Sequence, residues 1–168
     1  NVAVGYNAGT SINSGSKNIV VGFAAGDALS SGSNNVAIGY NALTTEDTGD
    51  DSIAIGRNAL KNQNFNGSSY NVAVGRDAGF SVTSGVQNTI IGGLAGDALT
   101  TGNKNVAIGY NALSTEDTQG NTVAVGFEAL KNQNATAISY NVAIGSSAGS
   151  QVTTGVQNTI VGGLAGDA

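Results

Sequence analysis

A short phrase, three apolar residues closed by glycine, returns ten times along this chain, and it constrains the fold more tightly than any other feature. It reads NVAVG at 1–5, NIVVG at 18–22, NVAIG at 35–39 and SIAIG at 52–56, and continues to the C-terminal end. The glycines are Gly5, Gly22, Gly39, Gly56, Gly75, Gly92, Gly109, Gly126, Gly145 and Gly162, so successive spacings are 17, 17, 17, 19, 17, 17, 17, 19 and 17. Four spacings close a longer period of 70: NALTTEDTGDDSIAIGRNALKNQN from Asn41 returns as NALSTEDTQGNTVAVGFEALKNQN from Asn111. A period near 20 residues predicts a solenoid, in which each unit buries its surface only against its neighbours. The chain therefore reads as one repeat domain, 1–168, with super-repeats 1–70 and 71–140 and a partial third, 141–168.

Each phrase is rich in Val and Ile, and polar stretches such as NSGSK (13–17) separate one phrase from the next. That alternation of short apolar runs and turn residues predicts strands and turns. Glycine in every unit and β-branched residues at the apolar positions argue against helix. The expected fold is an all-β solenoid of ten 17- or 19-residue coils, each with about two short strands and two turns, stacked at roughly 4.8 Å per coil. Two steric regularities accompany the phrase. The closing glycine allows positive φ or close backbone approach, and an alanine three residues later, from Ala8 to Ala165, marks a place with no room for more than a methyl group.

Alternation along a strand sends Val2 and Val4 to one face and Ala3 to the other, and neither face is polar. Strands apolar on both faces are usually buried on both. Val and Ile are expected to fill the coil, which leaves the small Ala face in need of a second dry environment. The same face of another chain supplies it most economically, so a parallel homo-oligomer, naturally a trimer, is expected.

Composition narrows the function. There is no His and no Cys, which removes imidazole bases, thiolate nucleophiles and the commonest zinc ligands. The net charge of −5 and six Lys and Arg argue against nucleic acid. No apolar run is long enough for a membrane helix. Neither catalytic residues nor cofactors are expected. The acidic loops, Glu46, Asp47, Asp50, Asp51 and Glu116, Asp117, read better as solvated turns than as a calcium site, since Gly120 and Asn121 replace the second acidic pair. GGLAGDAL at 92–99 departs from the calcium nonapeptide at Ala95, and Asp27, Asp97 and Asp167 read as turn caps. No metal site is expected. Asn1, Asn18, Asn35, Ser52, Asn71, Asn88, Asn105, Thr122, Asn141 and Asn158 stand four before each glycine and suggest an amide ladder along the rod. The residue after each glycine varies instead, and Tyr6, Tyr40, Arg57, Arg76, Tyr110 and Phe127 are the candidate surface-contact residues, with simple turn coverage the competing role. The polar turns 61–69 and 131–139 of the longer coils are expected to open most easily.

The phrases NVAVGYNAG, NVAIGYNAL and NVAIGSSAG resemble the head repeat of YadA-like trimeric autotransporter adhesins, which also occurs in bacteriophage tail fibres. The resemblance covers all ten coils and implies a left-handed parallel β-roll assembled as an intertwined homotrimer, extracellular, on a bacterial cell surface or a virion. The coils here are longer than the shortest form of that repeat, which predicts enlarged turns. The function this implies is a non-enzymatic structural and adhesive fibre segment, partnered by itself and by a host-surface protein or glycan, with no nucleic acid and no membrane insertion by this segment. A ligand-binding solenoid for ice or polysaccharide is the alternative, and a trimeric polysaccharide-cleaving spike ranks last.

Overall fold

The computed structural model describes residues 1–167. Ten three-residue strands follow one another: β1 Val2–Val4, β2 Ile19–Val21, β3 Val36–Ile38, β4 Ile53–Ile55, β5 Val72–Val74, β6 Thr89–Ile91, β7 Val106–Ile108, β8 Val123–Val125, β9 Val142–Ile144 and β10 Thr159–Val161. They form a single parallel sheet in chain order. Every strand pairs with the next at the repeat spacing: Val2 faces Ile19, and across the longer coils Ile53 faces Val72 and Val123 faces Val142. The chain is a β-solenoid, its repeat unit the coil read from the glycine spacing.

Each coil contains one strand rather than the expected two. The return leg takes positive φ at the second and fourth residues after the glycine, as at Asn7 and Gly9, Asn41 and Leu43, or Asn111 and Leu113. A backbone that enters the left-handed region at every other residue cannot extend as a strand. It still stacks: Gly9 N–H donates to Ala25 O at 2.9 Å, Leu43 N–H to Ala59 O at 3.0 Å and Leu113 N–H to Ala129 O at 3.0 Å. The return leg thus satisfies its backbone between coils without strand geometry.

The two strand faces are also the reverse of expectation. Ala37, Ala54, Ala73, Ala107, Ala124 and Ala143, at strand centres, are completely buried, as are Val20 and Ile90, while the flanking Val and Ile are half-buried or exposed. The roll is too thin for two rows of branched side chains to meet inside. Opposite the strand, the alanines three residues after each glycine, Ala25 through Ala148, are buried against it. Small residues at these places leave room for larger side chains from the return leg, or for Val20 and Ile90 at two strand centres, and the flanking branched residues point outward.

Larger side chains come from the fourth and seventh residues after the glycine, and the seventh changes from an apolar to a polar residue where the fourth changes from glycine to leucine. Where the fourth is Gly26 or Gly96, the seventh is a buried Leu29 or Leu99; where the fourth is Leu43, Leu60, Leu113 or Leu130, the seventh is Glu46, Gln63, Glu116 or Gln133. Contact enforces the exchange, since a Cβ on Gly26 would come within 2.9 Å of Leu29 Cδ1 and one on Gly96 within 2.9 Å of Leu99 Cδ1. The phrase-closing glycine is fixed more strictly. Gly39 has φ +138°, and a Cβ there would lie 2.5 Å from the carbonyl oxygen of Gly56 in the next coil. Conformation and clearance both demand glycine at this position.

Candidate interaction surface

Three columns of side chains run the length of the outer strand face. Two come from the first and third residues of each strand. Of those twenty positions eighteen are Val or Ile, and Thr89 and Thr159 are the exceptions. Strand alternation aims these residues away from the interior once the central Ala is buried. Val2, Val4, Ile19, Ile91, Ile144 and Val161 are the most exposed of them.

The third column is the residue after each glycine: Tyr6, Phe23, Tyr40, Arg57, Arg76, Gly93, Tyr110, Phe127, Ser146 and Gly163. The glycine turn lifts these side chains out of the coil. All six candidate contact residues are exposed, Tyr6 the most at 69%. The rings stack along the rod, Tyr6 on Phe23 at 5.3 Å, Phe23 on Tyr40 at 5.2 Å and Tyr110 on Phe127 at 5.8 Å, with interplanar angles of 12–16°. Phe23, which stands in the same column but is not among the six candidates, completes the first stack between Tyr6 and Tyr40. Because each ring covers the face of the next, the stack presents edges and hydroxyls outward. A sugar needs a free ring face to stack on, so this column suits apolar and edge contacts with protein better than carbohydrate stacking. Between the stacks, Arg57 and Arg76 share Asp77 at 3.5 and 2.9 Å, both guanidinium groups well exposed. Exposed pairs of this kind position side chains and add little stability.

The turns flanking the sheet show what lies beneath the polar surface. The Asn column forms a ladder, mainly side chain to backbone: Asn18 N–H donates to Asn1 Oδ1 at 2.8 Å and Asn35 N–H to Asn18 Oδ1 at 2.9 Å, while Asn18 Nδ2 donates to Gly32 O at 2.7 Å; an amide-to-amide bond joins Asn158 Nδ2 to Asn141 Oδ1 at 3.1 Å. Each side chain therefore ties two coils together. The ladder changes at Ser52 and Thr122, and there the acidic loops turn out not to be simply solvated. Glu46 and Glu116 are fully buried. Glu46 accepts from Gly49 N–H at 2.8 Å, from Gln63 Nε2 at 2.9 Å and from Phe65 N–H at 3.3 Å. Gln63 also donates to Ser52 Oγ at 2.6 Å and accepts from Asn71 Nδ2 at 2.8 Å. The second super-repeat matches it: Gln133 donates to Glu116 at 2.9 Å and Thr122 at 3.3 Å and accepts from Asn141 at 2.6 Å. Here the coils are joined through paired hydroxyls, Ser52 with Ser69 at 2.6 Å and Thr122 donating to Ser139 at 2.8 Å, and the interior Gln links each pair to the buried Glu and to the next Asn. The 70-residue recurrence of Glu, Gln and the hydroxyl residue was the available signal for this network.

Other carboxylates of the loop go separate ways. Asp47 accepts from the Ser30 hydroxyl, and Asp50 accepts from Ser33 N–H at 2.6 Å. Among the described residues no three acidic side chains converge as metal ligands, and no pocket is enclosed. The longer turns are anchored: Gln63 and Ser69, and likewise Gln133 and Ser139, are buried, and Asp50 forms a parallel bridge with Ser68. Among the described residues no helix is long and apolar enough to cross a membrane. No family model, curated protein or solved structure matches this chain.

Proposed function

We propose that this chain is a non-enzymatic fibre segment, three copies of which pack in parallel and in register along their outer strand faces. The observation that carries this is the outward Val and Ile strip. On ordinary sheet spacings it is about 43 Å long and about 10 Å wide, and the aromatic column widens it. A contiguous apolar surface of this size is at the upper end of what soluble monomers leave exposed. Identical coils at a constant rise allow every coil of one copy to meet the same coil of another, which suits a closed symmetric assembly. The sheet face that seeks a partner is the branched one and not the Ala face, which is buried inside the roll.

The resemblance to YadA-like head repeats supports the same assembly, with left-handed rolls, and with it a place outside the cell on a bacterial surface or a virion fibre. Attachment to a host protein or glycan is the function that such a rod serves. The Arg57, Arg76 and Asp77 cluster is the chemically distinctive part of its flank. Ice templating has less support, because the outward strand positions hold only two threonines.

Sedimentation equilibrium tests the assembly. The folded chain is expected at three times its own mass, and Ile38→Glu, whose side chain points outward, is expected to return it to one. A stably folded monomer at micromolar concentration overturns the proposal.

A further inference from the structure

The two longer coils carry turns that differ at one chemically important step. In the fourth coil the turn contains Asn66–Gly67, the one Asn-Gly dipeptide of the chain. Asn66 is exposed, and Gly67 has φ +133°. A Cβ on Gly67 would meet only Phe65 Cε1, at 3.4 Å. The Gly67 N–H donates to no acceptor among the described residues. The neighbouring asparagines differ on this point. Asn64 is followed by Phe65, whose N–H is committed to Glu46, and Asn134 of the eighth coil is followed by Ala135, whose N–H donates to Glu116 at 3.2 Å. At the place of Asn66–Gly67, the eighth coil has Thr136–Ala137.

We infer that Asn66 is a self-modification site, converted by its own backbone to aspartate and isoaspartate. The Gly67 nitrogen, having lost its proton, bonds to Asn66 Cγ. The Cγ–Nδ2 bond breaks, and ammonia leaves with one proton taken up. Water then opens the five-membered imide at either carbonyl: attack at the side-chain carbonyl gives aspartate, and attack at the backbone carbonyl gives isoaspartate. Nothing is oxidised or reduced, and water is the sole co-reactant. Three local features favour the first step: no side chain on the attacking residue, no hydrogen bond holding its N–H, and an exposed amide. At Asn64 and Asn134 the next N–H is spoken for by a buried carboxylate, and the next residue carries a side chain.

The consequence is local. Phe65 N–H is held by Glu46, and Gly67 O accepts from Asp50 N–H at 3.0 Å, so the new linkage falls between two fixed points. Isoaspartate adds one atom to the backbone there, and either product places a carboxylate near Asp50. The fourth coil ages where the eighth does not.

The test holds the folded chain in mildly alkaline buffer and samples it over time by proteolysis and mass spectrometry, with aspartyl and isoaspartyl peptides separated by chromatography. Asn66 is expected to lose its amide several-fold faster than Asn64 or Asn134, with isoaspartate in excess, and Gly67→Ala is expected to slow it several-fold. Should Gly67→Ala fail to fold, Asn66→Gln retains the backbone and should hold its amide over the same period. Equal rates at Asn66 and Asn134 in the folded chain overturn the inference, as does rapid amide loss from the Gln variant.

Discussion

The second and fourth coils share one backbone plan and fill it with opposite chemistry. In the second, Val20 and Leu29 pack hydrocarbon around Gly26, and the Asn18 of the ladder is the buried polar side chain; in the fourth, Ala54 and Leu60 leave space that Gln63 occupies, with Ser52 and Ser69 beside it and Glu46 of the third coil above. The sixth and eighth coils repeat the contrast with Ile90 and Leu99 against Gln133 and Glu116. An apolar interior needs only the right volume, so it tolerates exchange between positions that sum to the same size. A buried carboxylate needs every donor in place, because an unpartnered polar group costs its full desolvation. The same solenoid therefore contains coils that fail gradually and coils that fail at once.

The sharpest way to break the comparison is Gln63→Leu. It leaves Glu46, Ser52 and Asn71 each short of a partner inside the roll, and a loss of about 3 kcal/mol is expected, since leaving a buried polar group unsatisfied costs about 1–3 kcal/mol. Denaturant unfolding of the assembled protein measures it. A loss under about 1 kcal/mol would mean that water or rearrangement satisfies Glu46, and the fourth coil would then behave like the second.

The apolar coils offer the complementary test. Gly96→Leu imports the residue of the polar coils into the sixth coil, where it meets Leu99 and a backbone at φ +50°. Overpacking of this sort costs about 1–3 kcal/mol. Adding Leu99→Ala restores the summed volume, so the double variant should be less destabilised than the two single changes added together, with a coupling of about 0.5–3 kcal/mol. Strict additivity would show that backbone strain at residue 96, rather than volume, selects glycine.

How much of this was legible beforehand follows from which symmetry each feature obeys. The coil, its parallel register and the need for glycine at Gly39 or Gly109 repeat ten times, and such regularity can be read without coordinates. Alternation likewise separates Val36 and Ile38 from Ala37, yet alternation is blind to which side is inside. The answer depends on the opposite leg, and the recurring Ala42, Ala59 and Ala112 were the clue that the interior is narrow. The return leg departs from a strand where Leu43 and Leu60 carry no mark of positive φ, yet Asn41 and the glycines at the fourth place, Gly9, Gly26, Gly79, Gly96, Gly149 and Gly166, were a signal for it. Glu46 was read as solvated because acidic residues among threonines usually are, whereas its burial depends on Gln63 arriving from the next coil, a partner 17 residues away.

The smallest expected effect extends the contrast to the edge of the coil, where Asp97 and Asp167 occupy equivalent turns. Asp167 accepts from the Ser150 hydroxyl; for Asp97 the corresponding residue is Phe80, whose side chain has nothing to donate, and Asp97 Oδ1 is buried with no hydrogen-bond partner among the described residues. Burial pushes the Asp97 carboxyl above its ordinary value of 3.8, and the charge of Asp77 pushes the same way, while the backbone N–H groups of Asp97 and Ala98 oppose them. A carboxyl that binds its proton more tightly folded than unfolded destabilises the fold when ionised. The penalty is therefore full above the folded value, shrinks as pH falls through it, and is gone below about 3.8. Asp97→Asn should raise the melting temperature at neutral pH and leave it unchanged in acid, an effect within about 1 kcal/mol because the site is half-open to water and screened. Phe80→Ser should give part of the same gain by restoring the donor that Asp167 has. Equal melting of wild type and Asp97→Asn at neutral pH would show that the local backbone N–H groups already satisfy the carboxylate.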